Sequence, residues 1–100
     1  MSQKEKSYKF YTDPGHGWLA VKVTELMELN VITKISQYSY LKGATAYLEE
    51  DCDAALFLEA YQEKYKSALR YHTKYIDKNS PIRSYERYNC DQAIRKAMMK

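Results

Sequence analysis

The sequence predicts an α+β fold: a small antiparallel sheet of about four to six strands with one main helix packed on one face. Three observations carry this expectation. β-favouring runs such as Ser7–Thr12 and Trp18–Val23 come in pairs separated by turn residues. From Ala54 onward, Leu58, Tyr61, Tyr65 and Leu69 recur at steps of three and four, with Phe57 beside them, which is one face of a helix. At 100 residues, 45% hydrophobic and with only three glycines, the chain is a single domain around one modest core rather than a disordered or loop-rich scaffold.

Each element follows from local chemistry. Residues 1–6 are polar and expected to fray. Ser7–Thr12 is aromatic and reads as the first strand. In Asp13-Pro14-Gly15-His16-Gly17, Pro14 fixes its own φ and pushes Asp13 toward an extended backbone, while Gly15 and Gly17 permit positive φ. Trp18–Val23 reads as the return strand of a hairpin. Thr24 is the expected N-cap of a short helix through Leu26, Met27 and Leu29, with Glu25 in its first turn and an end near Asn30. Ile35–Leu41 reads as a third strand, in which Tyr38 and Tyr40 share a face. Lys42-Gly43 is a turn signal, and Ala44–Glu49 reads as the fourth strand. Asp51 or Asp53 is expected to cap the main helix. Tyr71–Ile76 and Ile82–Tyr88 alternate about a turn at Asp77–Pro81 and read as a C-terminal hairpin, although Tyr71 and Tyr75 also fit helical spacing. Asn89 with Gln92 resembles a capping box opening a last helix through Ile94 and Met98.

Composition narrows the function classes. Eleven tyrosines are more than a core of this size absorbs, so some rings are expected at a half-wet surface. The net charge of +3 is too small to establish nucleic-acid binding. Its distribution is more telling: the first fifty residues are neutral, whereas Lys64, Lys66, Arg70, Lys74 and Lys78 follow one another with only Asp77 in opposition. Cys52 and Cys90 form no C-x-x-C, which gives no support to a thiol redox motif or a zinc knuckle. Reduced thiols in the cytoplasm are the default. No secretory leader or membrane-spanning run is expected.

Three features could carry chemistry. His16, between two glycines and next to Trp18, could approach a ligand closely as acid, base or metal ligand; equally, it could serve only the turn, and Trp18 could anchor the core. The acidic knot Glu49-Glu50-Asp51-Cys52-Asp53 could hold a hard cation, but it lacks the spacing and glycine of a calcium loop and suits a helix N-terminus. Tyr65, Lys66, Arg70, Tyr71, Lys74, Tyr75, Arg83, Tyr85, Arg87 and Tyr88 interleave rings with cations, and Tyr38, Tyr40 and Tyr47 could add a flat platform. A nucleophile elbow, a P-loop and a dinucleotide fingerprint are all missing, so no cofactor is expected.

The segments Asp13-Pro14-Gly15-His16-Gly17-Trp18-Leu19, Ile35-Ser36-Gln37-Tyr38-Ser39-Tyr40 and Tyr47-Leu48-Glu49-Glu50-Asp51-Cys52-Asp53-Ala54 resemble, in that order, a group of small proteins encoded by phages and plasmids. The resemblance covers roughly residues 8–60, and it transfers no catalytic residue. It implies an accessory protein made inside a bacterial host, acting there by binding. The leading expectation is a non-enzymatic protein that acts stoichiometrically on a host protein or a small anionic ligand, in host takeover or counter-defence. His16, Trp18, Tyr38 and Tyr40 would form the contact surface, and Arg70 and Arg83 would supply positive charge. A single-stranded nucleic-acid binder and a small metal-dependent hydrolase using His16 and the acidic knot are the alternatives, and a second copy of the chain stands among the candidate partners.

Overall fold

Ser7–Thr12 (β1) and Gly17–Lys22 (β2) fold back on each other with Tyr11 opposite Trp18, as their alternation and the turn between them require. Both lie inside the sheet of the computed structural model, which describes residues 7–99. The chain continues through helix α1 (Val23–Glu28), β3 (Tyr40–Lys42), β4 (Thr45–Glu49), helix α2 (Asp53–Tyr65), β5 (Arg70–Tyr75), a 3₁₀ turn at Pro81–Ser84, β6 (Glu86–Arg87) and helix α3 (Cys90–Met98). The strands form one open sheet in the order β5-β1-β2-β4-β3-β6. The fold is α+β as expected. The sheet is mixed, because β5 runs parallel to β1 while every other pair is antiparallel. The expectation for residues 1–6 lies outside the described residues.

One sheet face supplies Leu19, Val21, Leu41, Ala46 and Leu48 to the core. Against it pack Val23 and Leu26 from α1, Ala54 and Phe57 from α2, and Ala93 and Ala97 from α3, so three helices share the face. Two of the eleven tyrosines are buried here, and each satisfies its hydroxyl. Tyr8 donates to Glu25 at 2.8 Å and Tyr88 donates to the Ile32 carbonyl at 2.7 Å. Burial raises the pKa of both phenols.

Several local expectations are corrected. No C-terminal hairpin forms: β5 joins the β1 edge and β6 joins β3 at the opposite edge. The physical reason is the Asp13 carboxylate, which accepts the Ser80 N–H at 2.8 Å and binds Arg83, and so draws residues 76–85 across the end of the sheet. The third strand shrinks to Tyr40–Lys42, because Asp53 captures Ser36 and Ser39. Its carboxylate accepts the Ser36 N–H at 3.1 Å, the Ser36 hydroxyl at 2.7 Å and the Ser39 hydroxyl at 2.5 Å, which takes this backbone away from the ladder. Asp53 is thereby turned away from its own helix, and the cap residue is Cys52, with no side-chain bond. α1 starts one residue before Thr24, and Glu25 accepts the Lys22 N–H. α2 ends where Lys66 enters a left-handed conformation (φ 55°), which leaves Leu69 beyond the helix. Asn89 caps α3 as expected, accepting the Gln92 N–H at 3.0 Å.

Candidate functional site

Side chains alternate along a strand, so the positions between the core residues point to the side without helices. On β1 these are Ser7, Lys9 and Tyr11; on β2, Trp18, Ala20 and Lys22; on β4, Thr45, Tyr47 and Glu49; on β3, Tyr40 and Lys42. The register aligns them into rows. His72, Lys9, Ala20, Tyr47, Tyr40 and Arg87 lie opposite one another in turn across all six strands. Lys74, Tyr11, Trp18 and Glu49 form a second row, and Lys22, Thr45 and Lys42 a third, with Arg70 opposite Ser7 at its far end. One face therefore gathers Lys9, Lys22, Lys42, Arg70, Lys74 and Arg87.

Rings fill the space between these cations. Tyr47 lies between Tyr11, with centroids 6.1 Å apart, and Tyr85, at 5.2 Å. Lys42 Nζ stands 5.1 Å over the Tyr85 ring, and the Arg87 guanidinium 5.2 Å over Tyr40. Tyr40 in turn sits edge-on to Trp18 at 6.3 Å. Burial among its neighbours raises the Tyr47 pKa, which keeps this phenol neutral. Where β2 contributes only the methyl of Ala20, the face dips into an open groove of about 350 Å³. Lys9, Tyr11, Lys22, Thr45 and Tyr47 line it, along with Glu25, which already accepts bonds from the Tyr8 hydroxyl and the Lys22 N–H.

The Asp13–Trp18 loop builds one corner of this face, and Asp13 organises it. Its carboxylate accepts the N–H groups of Gly15 and His16 at 3.0 Å each, besides that of Ser80. Arg83 grips it bidentately, Nε at 2.7 Å and Nη2 at 2.9 Å. The Arg83 hydrogen bonds, helped by the backbone donors, hold this carboxyl far below the usual range, and Asp13 raises the Arg83 pKa in return. Arg83 is thus a structural clamp, lying 5.6 Å over the Trp18 ring, and its charge is matched by Asp13. The glycines serve space rather than positive φ, which among the described glycines occurs only at Gly43. A Cβ on Gly15 would lie 2.9 Å from the Arg83 guanidinium, and one on Gly17 would meet Glu50 and the Phe10 ring.

The sequence-derived residues divide accordingly. His16, Trp18, Tyr40 and Arg83 come together at this corner. The His16 imidazole is exposed, 6.0 Å from Trp18, while its backbone does the work of the turn. Trp18 is only 2% exposed and lies beneath the surface rather than on it. Arg70 shares the face but stands on the far edge strand. Tyr38 is 64% exposed, yet it precedes β3 and shares no strand face with Tyr40. Lys9, Tyr11, Ala20, Lys22 and Lys42 join the face without a motif in the sequence that singles them out. The lysines alternate with apolar positions, as in Tyr8-Lys9-Phe10 and Val21-Lys22-Val23, which marks an outward face but not which strands adjoin.

The acidic knot is structural on one side and open on the other. Asp53 is buried on serine donors, whereas Glu49 reaches the sheet face, where burial raises its pKa against the opposing hydrogen bond from the Asp51 N–H. No three His, Cys, Asp or Glu side chains among the described residues gather as a metal site. Cys52 and Cys90 are unpaired, and partial desolvation together with the adjacent Asp53 carboxylate raises the pKa of the exposed Cys52 thiol. No helix among the described residues is long and apolar enough to cross a membrane. No family model, curated protein or solved structure matches the chain.

Proposed function

We propose that this chain is a non-enzymatic binding protein and that its helix-free sheet face holds an anionic ligand. The supporting observation is charge placement. Lys9, Lys22, Lys42, Arg70, Lys74 and Arg87 share one face with the half-buried Glu49, in a chain whose net charge is only +3. Such a surface concentrates field and draws anions to it. Binding rather than turnover is favoured because the buried Asp13 and Asp53 are held by internal donors, and Glu25, the carboxylate that lines the groove, already accepts the Tyr8 hydroxyl and the Lys22 N–H. The resemblance to phage- and plasmid-encoded accessory proteins adds the setting: a stoichiometric action on an anionic component of a bacterial host. The same charge disfavours pairing of two copies face to face.

The test is retention on immobilised heparin. The triple variant Lys9→Glu, Lys22→Glu, Lys42→Glu is expected to elute at much lower salt than the parent. Lys34→Glu, Lys64→Glu, Lys66→Glu changes the net charge equally but lies off the face, and it should retain most of the parent's affinity. All six lysines are exposed, so substituting them should alter stability by only about 0.5 kcal/mol each. Equal losses in both triples would show that net charge alone governs retention and would remove the face from the proposal.

A further inference from the structure

We infer that the anionic ligand is single-stranded nucleic acid, its bases resting on the tyrosines and its phosphates on the flanking cations; this rests on the anion-binding reading above. The span of the cationic face favours a polymer. Lys74 and Arg87 stand on opposite edge strands, five strand spacings or about 24 Å apart. No small anion bridges that distance, whereas a chain of phosphates does.

The order of side chains along the rows fits a single strand. The row through Ala20, Tyr47 and Tyr40 is ringed in the middle, with Lys9 and then His72 on one side and Arg87 at the other end. The neighbouring row carries Lys22 and Lys42. A strand laid along the rows places backbone over one and bases over the other. The half-exposed rings of Tyr11 and Tyr47 accept any base by its π-face, beside Tyr40 with the Arg87 guanidinium over its ring. Open sheets that read RNA stack about two or three bases in this manner.

Other partners fit this face less well. A duplex hides its base faces, and its major groove, about 12 Å wide, admits a helix or a two-stranded ribbon but not six strands. A protein partner is disfavoured by composition: interfaces are depleted in lysine, and this face carries four, Lys9, Lys22, Lys42 and Lys74, with no aliphatic side chain larger than Ala20 among its strand positions.

Fluorescence anisotropy on the full chain separates these possibilities. The probe is a labelled oligothymidylate of about twelve nucleotides, within the range that single-strand binders occlude. Competitors are an abasic chain of equal length, inorganic polyphosphate, a duplex of the same length and polyglutamate. The oligothymidylate is expected to bind at least about tenfold tighter than the abasic chain. The logarithm of its affinity should fall with the logarithm of salt with a slope of about −3, which corresponds to about four phosphates neutralised. Tyr11→Ala and Tyr47→Ala should each weaken the oligonucleotide by about five- to hundredfold and leave polyphosphate binding unchanged. Tyr11→Phe and Tyr47→Phe should restore it, since stacking needs the ring and not the hydroxyl.

Equal binding of the abasic chain or polyphosphate, indifferent to the Ala variants, would overturn the nucleic-acid inference and leave the anion-binding reading standing. Tighter binding of the duplex or of polyglutamate would overturn it as well. Failure of every probe, polyphosphate included, at low ionic strength would remove both readings.

Discussion

Phe57→Ala is expected to destabilise the fold by about 3–5 kcal/mol, the range for truncating a buried aromatic ring. Phe57 has no accessible surface and is the point where α2 meets the sheet. Its ring lies 6.0 Å from Tyr8 at 65° and 6.4 Å from Tyr61, so the substitution opens a cavity and also breaks two aromatic contacts. A domain of this size has a total stability of about 5–15 kcal/mol, so the variant keeps little margin. Chemical denaturation should show a lowered midpoint with an unchanged slope, and Phe57→Leu should recover most of the loss. A Phe57→Ala protein with the parent's midpoint would mean that α2 does not pack as described.

Asp13→Asn is expected to be the most damaging polar substitution on the helix-free side. One carboxylate ties together the Gly15–His16 turn, Ser80 and the Arg83 side chain, and losing its charge leaves the guanidinium over Trp18 without a counter-ion. The melting temperature at pH 7 should fall clearly, whereas Asp77→Asn, an exposed position on the same connection, should hardly alter it. The pH dependence has a definite sign. The Asp13 pKa is depressed in the folded state, so its contribution is complete above the unfolded carboxylate pKa of about 3.9 and is lost as pH falls below that. Glu49 opposes this, because its raised pKa favours the folded state as pH falls. The difference between parent and Asp13→Asn isolates the Asp13 part: the gap between the two should begin to narrow at about pH 4 and go on narrowing as pH falls further. A constant gap down to pH 2 would show that Asp13 is not the ionised clamp.

The local part of the fold was legible because its signals are local. The β1–β2 hairpin follows from two alternating runs about a Pro-Gly turn, and α3 from Asn89 placed three residues before Gln92. The pieces decided by distant partners were not legible. Ile35–Ser39 has strand composition, but the Asp53 carboxylate, fourteen to seventeen residues away, takes its hydrogen bonds. Tyr71–Tyr75 alternates equally well for a hairpin or for an edge strand, and only its parallel register with β1 places Arg70, His72 and Lys74 beside Ser7, Lys9 and Tyr11. The site divides in the same way. His16, Trp18, Tyr40 and Arg83 do converge, yet Arg83 was expected as free charge and serves as a clamp, because its acidic partner lies seventy residues back. The lysine rows depend on sheet order, which no single segment encodes.

Backbone amide shifts recorded by NMR during titration with inorganic polyphosphate test most directly whether the helix-free face is the ligand surface. The expected shifts cluster at Lys9, Ala20, Lys22, Thr45 and Tyr47, and the amides of α2 and α3 stay still. Shifts confined to the helices or to the segment before β3, with the Ala20 groove unmoved, would contradict it.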